Sequence, residues 1–553
     1  MKITDTSDLW WKTAVVYCLD VETYMDWDGD GRGDLEGLAH RIDHLADLGV
    51  TCLWLMPFYP TPGRDDGYDI TDFLNVDGRL GDLGRFVEFM RMAKDRGMRV
   101  IIDLVVNHTS DQHPWFRKAR QSRDSVFHDY YVWRDEKPKK EAASVFPGEE
   151  TSVWAYEPKV DRYYLHNFYK HQPELNIANP QVQDEIARVM GFWLELGVSG
   201  FRVDAVPFLL ELPEGVGGDP HDHLRDLRRF LQRRSSEAIL LGEVNLAYEQ
   251  QLEFFGGGDG ASQLTMQFDF MGMQWLYLSL ARSDARPFAE MLATRPPLPP
   301  EMQWANFVRN HDELTLDKLS DAEREEVFTA FAPEERMRVY GRGIVRRLPS
   351  MLDGDPRRIG MVYSLLFSLP GTPVLFYGEE IGMAENLEIP GRMSVRTPMQ
   401  WSDEKHGGFS TAPRSRLVSR PPSGGYAPEH VNVISQRHDP DSLLRHMQRL
   451  ITRYRSSSEI GWGELEILEH EVPAVFAHSV RSDTGRMIAL HNFAPEAATV
   501  SITVADEPDD TVLADLLREA TTPLGPRGRV DVELEPYGYR WLRVLRPGDH
   551  RLS

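Results

Sequence analysis

The sequence predicts an α/β protein built on a (β/α)8 barrel of the TIM type, with an inserted subdomain after the third strand and a C-terminal antiparallel β domain. Three observations lead to this prediction. Eight short apolar runs alternate with helical patterns, the interval after the third run is unusually long, and the pattern changes to short alternating segments near residue 456. With 553 residues, the chain is also too long for a single hydrophobic core.

The eight apolar runs have the continuous hydrophobic character of strands that are buried on both faces, as a parallel sheet requires. Segments with helical spacing of apolar residues lie between them, as in residues 34–49. Eight strands with intervening helices are the composition of a closed barrel. The runs are AVVYCLD (14–20), TCLWLM (51–56), RVIIDLVV (99–106), GFRVDAV (200–206), AILLGEV (238–244), LTMQFDF (264–270), WANFVRN (304–310) and TPVLFYG (372–378).

Two further stretches complete the predicted architecture. The first, after the third strand, is polar and rich in Trp, Tyr and His, which indicates a subdomain rather than a loop. Towards the C-terminus, segments such as AVFAHSV, MIALHNF, TVSITV and GYRWLRVL have the alternation of antiparallel strands. We therefore predict the first part of the barrel at 1–106, the inserted subdomain at 107–180, the second part of the barrel at 181–455 and a β-sandwich domain at 456–553.

The composition is that of a folded, acidic protein, with 41% apolar and 27% charged residues. The 62 Lys and Arg against 86 Asp and Glu give a net charge of −24, which argues against nucleic acid or an anionic membrane as a partner. The first residues lack the pattern of a signal peptide, no apolar run is long enough to span a bilayer, and two cysteines allow no disulfide framework. We expect a cytoplasmic protein, and whether it forms a homo-oligomer stays open.

Polar side chains, most of them ionisable, follow four of the predicted strands, at the end where barrels of this type carry their active sites. A single one could be a helix cap or part of a core ion pair. Several converging at one rim are hard to explain as structure, because a buried unpaired carboxylate is costly. They are Asp103, Asn107 and His108 after the third strand, Arg202 and Asp204 after the fourth, Glu243 after the fifth, and His311 and Asp312 after the seventh.

These strand ends resemble the short motifs of the α-amylase family, glycoside hydrolase family 13. The resemblance covers nearly the whole chain, and the motifs follow one another in the order of that family. It implies a retaining mechanism, in which two carboxyl groups about 5–5.5 Å apart act as nucleophile and acid/base. The matching segments are DLVVNHTS (103–110), GFRVDAV (200–206), LGEVN (241–245) and VRNHDE (308–313), with HQPELN (171–176) in the inserted subdomain.

The resemblance implies a role for each motif residue. Asp204 is the expected nucleophile, which Arg202 on the same strand face holds ionised. Glu243 is the expected acid/base, and the apolar run before it is consistent with a raised pKa. Asp312 is expected to bind sugar hydroxyls and to favour the transition state. Two histidines, His108 and His311, are expected to donate hydrogen bonds to the same sugar ring.

Two other segments resemble those that close the pocket around a terminal glucose in α-glucosidase-like members. In GRDDGYDI (63–70), Asp65 is expected to bind the 4-hydroxyl and Tyr68 to stack beneath the ring. In VRTPMQW (395–401), Arg396 is expected to pair with Asp65 and to block longer chains. Alone, the first segment is more often just a turn, but its occurrence with the second favours a pocket for one glucose.

A calcium site is expected in DWDGDGRGD (26–34), where acidic residues alternate and glycines permit a tight turn. The expected ligands are Asp26, Asp28, Asp30, Asp34 and the carbonyl of Arg32. Position 12 of this loop is Gly37, so the loop is not an EF-hand, and a solvated acidic turn is the alternative. The Ca²⁺ would be structural, and no organic cofactor is expected.

A second calcium site is implied only by the resemblance to trehalose synthases within the family. The matching positions are Asn107, Glu174, the carbonyls of Phe208 and Leu209, and Glu211.

Within the family, SDQHPWF (110–116) and WANFVRNHDELTL (304–316) resemble segments of trehalose synthases, which interconvert maltose and trehalose, and this resemblance implies small α-glucosides as substrates. Ala205 after the nucleophile is typical of α-1,4-type relatives, and Glu313 after Asp312 is typical of trehalose synthases. The first strand, YCLDVETY (17–24), and the loop ENLEIPGRMS (385–394) differ from the usual segments, which leaves the acceptor open.

The alternative functions are those of a hydrolytic α-glucosidase or trehalase, or transfer of glucose to another acceptor. A non-catalytic carbohydrate-binding subunit is a more distant alternative, because such proteins usually lose a catalytic carboxylate.

Overall fold

A computed structural model describes residues 9–211, 217–256, 262–508 and 510–549. Residues 1–8, which belong to the stretch in which no signal peptide was expected, lie outside the described part. Among the helices of the described residues, none combines the length and the apolar character that crossing a membrane requires.

Eight parallel strands form a closed barrel, which confirms the predicted fold class. Each observed strand lies within its predicted run or begins one residue before it, and every residue of the eight strands is buried except Arg99. Neighbours along the chain are neighbours in the barrel, and the last strand pairs with the first. The barrel strands are β1 (Val16–Leu19), β2 (Cys52–Leu55), β3 (Arg99–Leu104), β4 (Gly200–Val203), β5 (Ile239–Gly242), β6 (Met266–Phe268), β7 (Gln303–Asn306) and β8 (Thr372–Phe376).

Helices connect the strands. The helical pattern at 34–49 forms two helices, Leu35–His40 and Ile42–Leu48, which are separated at Arg41. The longer helices that follow are Leu83–Asp95, Pro180–Glu195, His221–Arg234, Tyr248–Phe255, Phe270–Arg282, Arg286–Ala293, Asp321–Phe331, Pro356–Ser368 and Leu443–Arg455. The shorter ones are Val21–Tyr24, Pro114–Ala119, Val206–Leu209, Leu348–Met351, Val433–His438 and Ser458–Trp462.

Between β3 and the helix Pro180–Glu195, the chain forms a three-stranded antiparallel sheet of Trp133–Arg134, Arg162–Leu165 and Trp154–Glu157. Isolated bridges join His108 to Glu174 and Tyr131 to Leu175. The segment HQPELN is thereby held against the C-terminal end of β3. A second small sheet, absent from the sequence prediction, consists of Leu314–Thr315, Gly343–Ile344 and Arg338–Val339 and follows β7.

The C-terminal residues form antiparallel sheets, as predicted. Apolar side chains from both sheets belong to one buried cluster, including Ile488, Val500 and Val532. The six-stranded sheet has the order Glu464–Ile467, Val475–Ser482, Gly485–Asn492, Tyr539–Leu545, Val512–Asp515 and Ala520–Pro523, and the other pairs Ala498–Thr503 with Arg529–Leu534.

Candidate active site

The register of the barrel brings a guanidinium and its acidic partners together. Asp103 on β3 lies opposite Arg202 on β4, and one nitrogen of Arg202, Nη1, donates to Asp103 Oδ1 and to Asp204 Oδ1, each at 2.6 Å. The other, Nη2, donates to Glu243 Oε2 at 2.7 Å. A single buried guanidinium therefore joins the predicted nucleophile and the predicted acid/base.

The turn after Asp204 also positions Glu243. Ala205 adopts a left-handed conformation with φ of 47°, which is uncommon for a residue other than glycine. Its backbone N–H donates to Glu243 Oε2 at 3.2 Å. The glutamate is thus held from two sides, by Arg202 and by the backbone of the nucleophile's own turn.

Burial shapes the charge state of these groups. It raises the pKa of Asp204 to about 6, although Arg202 opposes the shift. It raises the pKa of Glu243 to about 7, where Arg202 opposes the shift and Asp204 and Asp312 add to it. The glutamate is therefore the group that holds a proton more readily near neutral pH, as an acid/base requires.

Asp312 has the opposite environment. Burial would raise its pKa, but a hydrogen bond from His311 and the charges of Arg392 and Arg396 hold it well below its usual range. Arg392 Nη1 and Arg396 Nη2 both donate to Asp312 Oδ1, at 2.9 and 2.8 Å. This carboxylate is therefore ionised whenever the site is folded at ordinary pH.

The predicted pair of Asp65 with Arg396 was wrong. Asp65 pairs with Arg392, whereas Arg396 pairs with Asp66. The reason is a tight turn, in which the Tyr68 N–H donates to the Asp65 carbonyl at 2.9 Å and Asp66 has a φ of 48°. Such a turn directs the side chains of its first two residues apart, so each aspartate faces a different arginine.

The remaining predicted substrate residues lie around the same cavity or in its wall. The Tyr68 hydroxyl and His311 Nε2 are 2.7 Å apart, and the two rings are parallel. His108 Nε2 lies 3.2 Å from the Tyr68 carbonyl oxygen. Burial lowers the pKa of both histidines to about 4, so both are neutral at ordinary pH. Burial, with Asp312 nearby, raises the pKa of Glu313.

The cavity has a volume of about 440 Å³, which lies in the usual range for small-molecule sites. Its walls carry the three carboxylates, and aromatic rings, two of them from the inserted subdomain, line it as well. Residues that the sequence did not identify include Arg392, Phe146, Phe168 and Asp317. A signal for Arg392 existed, because two adjacent acids, Asp65 and Asp66, can take two basic partners, and Arg392 is a second arginine four residues before Arg396.

The loop at 26–34 brings three of its four aspartates together. Carboxylate oxygens of Asp26, Asp28 and Asp34 lie within 4.8 Å of one another. Two ligands about 2.4 Å from one ion lie at most about 4.8 Å apart, so this spacing fits Ca²⁺. Asp30 differs from the prediction, because it is exposed and accepts the N–H of Arg32. The predicted ligand atom of Arg32 is its backbone carbonyl oxygen, and its side chain contacts Glu22.

The second predicted metal group also gathers. Asn167 Nδ2 donates to Glu174 Oε1 at 3.0 Å and to Glu211 Oε2 at 3.3 Å. Asn107 also hydrogen-bonds to Glu174. In the described part of the chain, neither glutamate has a basic partner within ion-pair distance. Burial raises the pKa of Glu174 to about 8, and the nearby charge of Glu211 adds to this shift. Phe208 and Leu209 close the short helix before Glu211. Two carboxylates without a cation fit a divalent ion.

Comparisons with known proteins agree with this geometry. The family model for the α-amylase catalytic domain matches residues 21–330 and 345–462, and a model for the C-terminal domain of sucrose hydrolase-like proteins matches residues 485–543. The α-amylase from H. orenii superposes with a TM-score of 0.77 at 25% identity, over 96% of this chain and 99% of that one.

Two relatives share 40% of their aligned residues with the chain. The trehalose synthase of Thermus thermophilus aligns over 98% of the chain, which spans 56% of the length of that relative. The trehalose synthase/amylase of Mycobacterium tuberculosis (strain ATCC 25618 / H37Rv) aligns over 87% of the chain and 82% of its own length. The chain belongs to the α-amylase family.

Proposed function

We propose that the protein is a retaining enzyme that acts on small α-glucosides and interconverts maltose and trehalose through a glucosyl-enzyme intermediate. The observation that carries the proposal is the Arg202 guanidinium, which joins Asp204 and Glu243 at the base of a cavity of about 440 Å³. Carboxyl groups that bind the two nitrogens of one guanidinium lie close together, as the two carboxyl groups of a retaining glycosidase must. The 40% identity to trehalose synthases supports the substrate class.

The chemistry follows from the charge states. An Asp204 carboxylate oxygen attacks the anomeric carbon and forms an ester, while Glu243 gives its proton to the departing glycosidic oxygen. In the second half, Glu243 takes a proton from an incoming hydroxyl of glucose, and that oxygen displaces Asp204. Asp312, held ionised by Arg392 and Arg396, stabilises the positive charge that develops on the sugar ring.

Enclosure of the cavity favours isomerisation over hydrolysis. If the departing glucose stays in the cavity, it can rotate and return through its anomeric hydroxyl, which converts maltose into trehalose. Phe146 and Arg392 both line the cavity, 5.0 Å apart, and Phe146 also contacts Tyr169 and Tyr340, so three segments of the chain meet at this wall. A wall of this kind limits the access of water.

Separate incubations with maltose and with trehalose test the proposal. We expect each sugar to yield the other, with free glucose as a minor product. Glucose alone would establish the alternative, a hydrolytic α-glucosidase or trehalase, and a new glucoside formed from an added alcohol would establish transfer to another acceptor. No turnover of either sugar would leave a non-catalytic carbohydrate-binding subunit, which the three gathered carboxylates disfavour.

Calcium and the cellular location belong to the same proposal. We infer a structural Ca²⁺ held by Asp26, Asp28 and Asp34, with a second ion held by Asn107, Glu174 and Glu211. Both sites would supply rigidity rather than a step of the reaction. Two free, buried cysteines, Cys18 and Cys52, support a cytoplasmic location.

A further inference from the structure

A second concavity, separate from the active site, lies where the C-terminal domain meets two barrel helices. It has a volume of about 1080 Å³ and shares no lining residue with the active-site cavity. One wall is the helix Leu443–Arg455, with the start of Pro356–Ser368 beside it. The other wall is the turn at 535–539 together with Arg518. We call it the interdomain groove.

Three arginines line the helical wall of the groove. Arg445, Arg449 and Arg453 are spaced by four residues, so they project from one face of the helix. Arg445 donates to Gln448 Oε1 at 3.0 Å, and Arg449 donates to the carbonyl of Pro440 at 3.2 Å. Among the described residues, none of the three forms an ion pair with a carboxylate, so their charges are not neutralised locally.

The acidic residues of the groove do not offset this charge. Glu535 accepts hydrogen bonds from Arg518 at 3.0 Å and from Arg540 at 3.1 Å, which together hold its pKa down to about 2. Only Asp441 adds another carboxylate to the lining. The protein as a whole carries −24, but at physiological salt charges more than about 8 Å away are largely screened. The groove is therefore a locally cationic site on an acidic protein.

An aromatic ring also lines the groove. Tyr537 has a φ of 55°, which is strained for a bulky side chain. The guanidinium groups of Arg357 and Arg358 lie 5.7 and 5.5 Å from the centre of its ring. The turn is close-packed, because a Cβ at Gly538 would lie 2.7 Å from the backbone nitrogen of Glu535. Arg357 is itself paired with Asp355, so Tyr537 contributes a fixed aromatic ring, rather than a further free charge, to the lining of the groove that holds the three unpaired arginines.

We propose that the interdomain groove binds a small phosphate-bearing molecule that also carries a ring, either a sugar phosphate or a nucleotide. Arg449 and Arg453 hold the phosphate, since guanidinium groups recognise its oxygens in pairs. Tyr537 packs against the sugar or the base. The volume of the groove accommodates molecules of this size.

Isothermal titration of the purified protein with glucose 1-phosphate, with ATP and with inorganic phosphate tests the proposal. We expect saturable one-to-one binding of at least one ring-bearing phosphate, which Arg449→Ala and Arg453→Ala each weaken about tenfold or more. Tyr537→Ala should lower the affinity for the ring-bearing ligand and leave the affinity for inorganic phosphate unchanged. Binding of ATP alone identifies a nucleotide site, and binding of glucose 1-phosphate alone identifies a sugar phosphate site.

Arg455→Ala is the matched control, because Arg455 is on the same helix but does not line the groove. It removes the same charge and should leave the affinity unchanged. Two measurements separate the groove from the active site. The groove variants should turn over maltose as fast as the wild-type protein, and excess trehalose should not compete with the phosphate ligand in the titration. Absence of saturable binding, equal weakening by Arg455→Ala, or loss of binding when trehalose is added would each overturn the proposal.

Discussion

At the scale of single residues, the arrangement of arginines separates the roles of the carboxylates. Arg202 is shared by Asp103, Asp204 and Glu243, so its one charge cannot balance the burial of all three. Two arginines and a histidine surround Asp312, and the arginines are shared with one further carboxylate each, Asp65 and Asp66. The site therefore contains one carboxylate, Asp312, that stays ionised, and three carboxyl groups around Arg202 whose pKa values are raised to between about 6 and about 7.

Replacing the predicted nucleophile tests the covalent step. Asp204→Asn should lower the turnover of maltose by more than about a thousandfold, because an amide cannot form the glycosyl ester. The fold should persist, since the amide can still accept a hydrogen bond from Arg202. Turnover and far-UV circular dichroism are the measurements, with Asp226→Asn on an exposed helical surface as the control. Activity above about a tenth of wild type would assign the nucleophile elsewhere.

The pH dependence of the reaction follows from the same two pKa values. Asp204 must be ionised, so kcat/KM should fall as the pH decreases below about 6. Glu243 must carry a proton, so kcat/KM should fall as the pH increases above about 7. We expect a bell-shaped profile for maltose with its maximum between these values. A rate that stays constant from pH 7 to about pH 9 would contradict the assignment of Glu243 as the acid.

At the scale of elements, the sequence predicted the barrel well and the pairing within its loops poorly. Continuous apolar runs are sufficient to locate strands that are buried on both faces, and all eight were found. The partner of Asp65 depends instead on the φ of Asp66, a property of one turn that no periodicity reports. The small sheet around Gly343–Ile344 was missed because its strands are only two residues long.

The loop that carries Arg392 is the element expected to limit the pocket. Arg392→Ala should raise KM for maltose about tenfold or more, because Asp65 and Asp312 both lose a charged hydrogen-bond donor. Starch should react far more slowly than maltose in the wild-type protein, since the pair with Asp65 blocks longer chains. Initial rates on both substrates are the measurement, and Arg420→Ala, on a neighbouring exposed segment, is the control. Rapid random cleavage of starch would refute a closed pocket.

The aspartate loop gives a prediction about stability rather than about rate. Removal of Ca²⁺ with a chelator should lower Tm by ~5–10 °C while leaving measurable turnover at moderate temperature. Asp26→Asn should reproduce the loss of Tm and abolish its dependence on added calcium, because Asp26 belongs to the converging group. Elemental analysis of the purified protein and thermal scans are the measurements. Absence of any bound divalent ion in the wild-type protein would refute the site.

At the scale of the whole molecule, the C-terminal domain contacts the barrel through two buried histidines. His491 Nε2 lies 3.0 Å from the Ser364 hydroxyl oxygen, and His478 Nε2 donates to the Ser368 carbonyl at 3.0 Å. Both serines belong to the helix that precedes β8. Neither imidazole faces a carboxylate within ion-pair distance among the described residues, so the interface requires both to be neutral.

This interface should make the protein less stable in acid. Burial lowers the pKa of His478 from 6.5 to about 4, and burial, with His478 nearby, lowers that of His491 as well. The unfolded chain therefore takes up these protons at a higher pH than the folded protein. The stability that they contribute is complete above pH 6.5 and falls as the pH decreases towards 4, by about 2–3 kcal/mol at pH 4.5 for His478 alone.

Urea midpoints at pH 7.5 and 4.5 measure the difference in stability between the two pH values. It should shrink in His478→Gln, whose amide can still donate to Ser368, and should stay unchanged in His430→Gln, on the surface. An equal reduction in both variants would show that the acid sensitivity arises elsewhere.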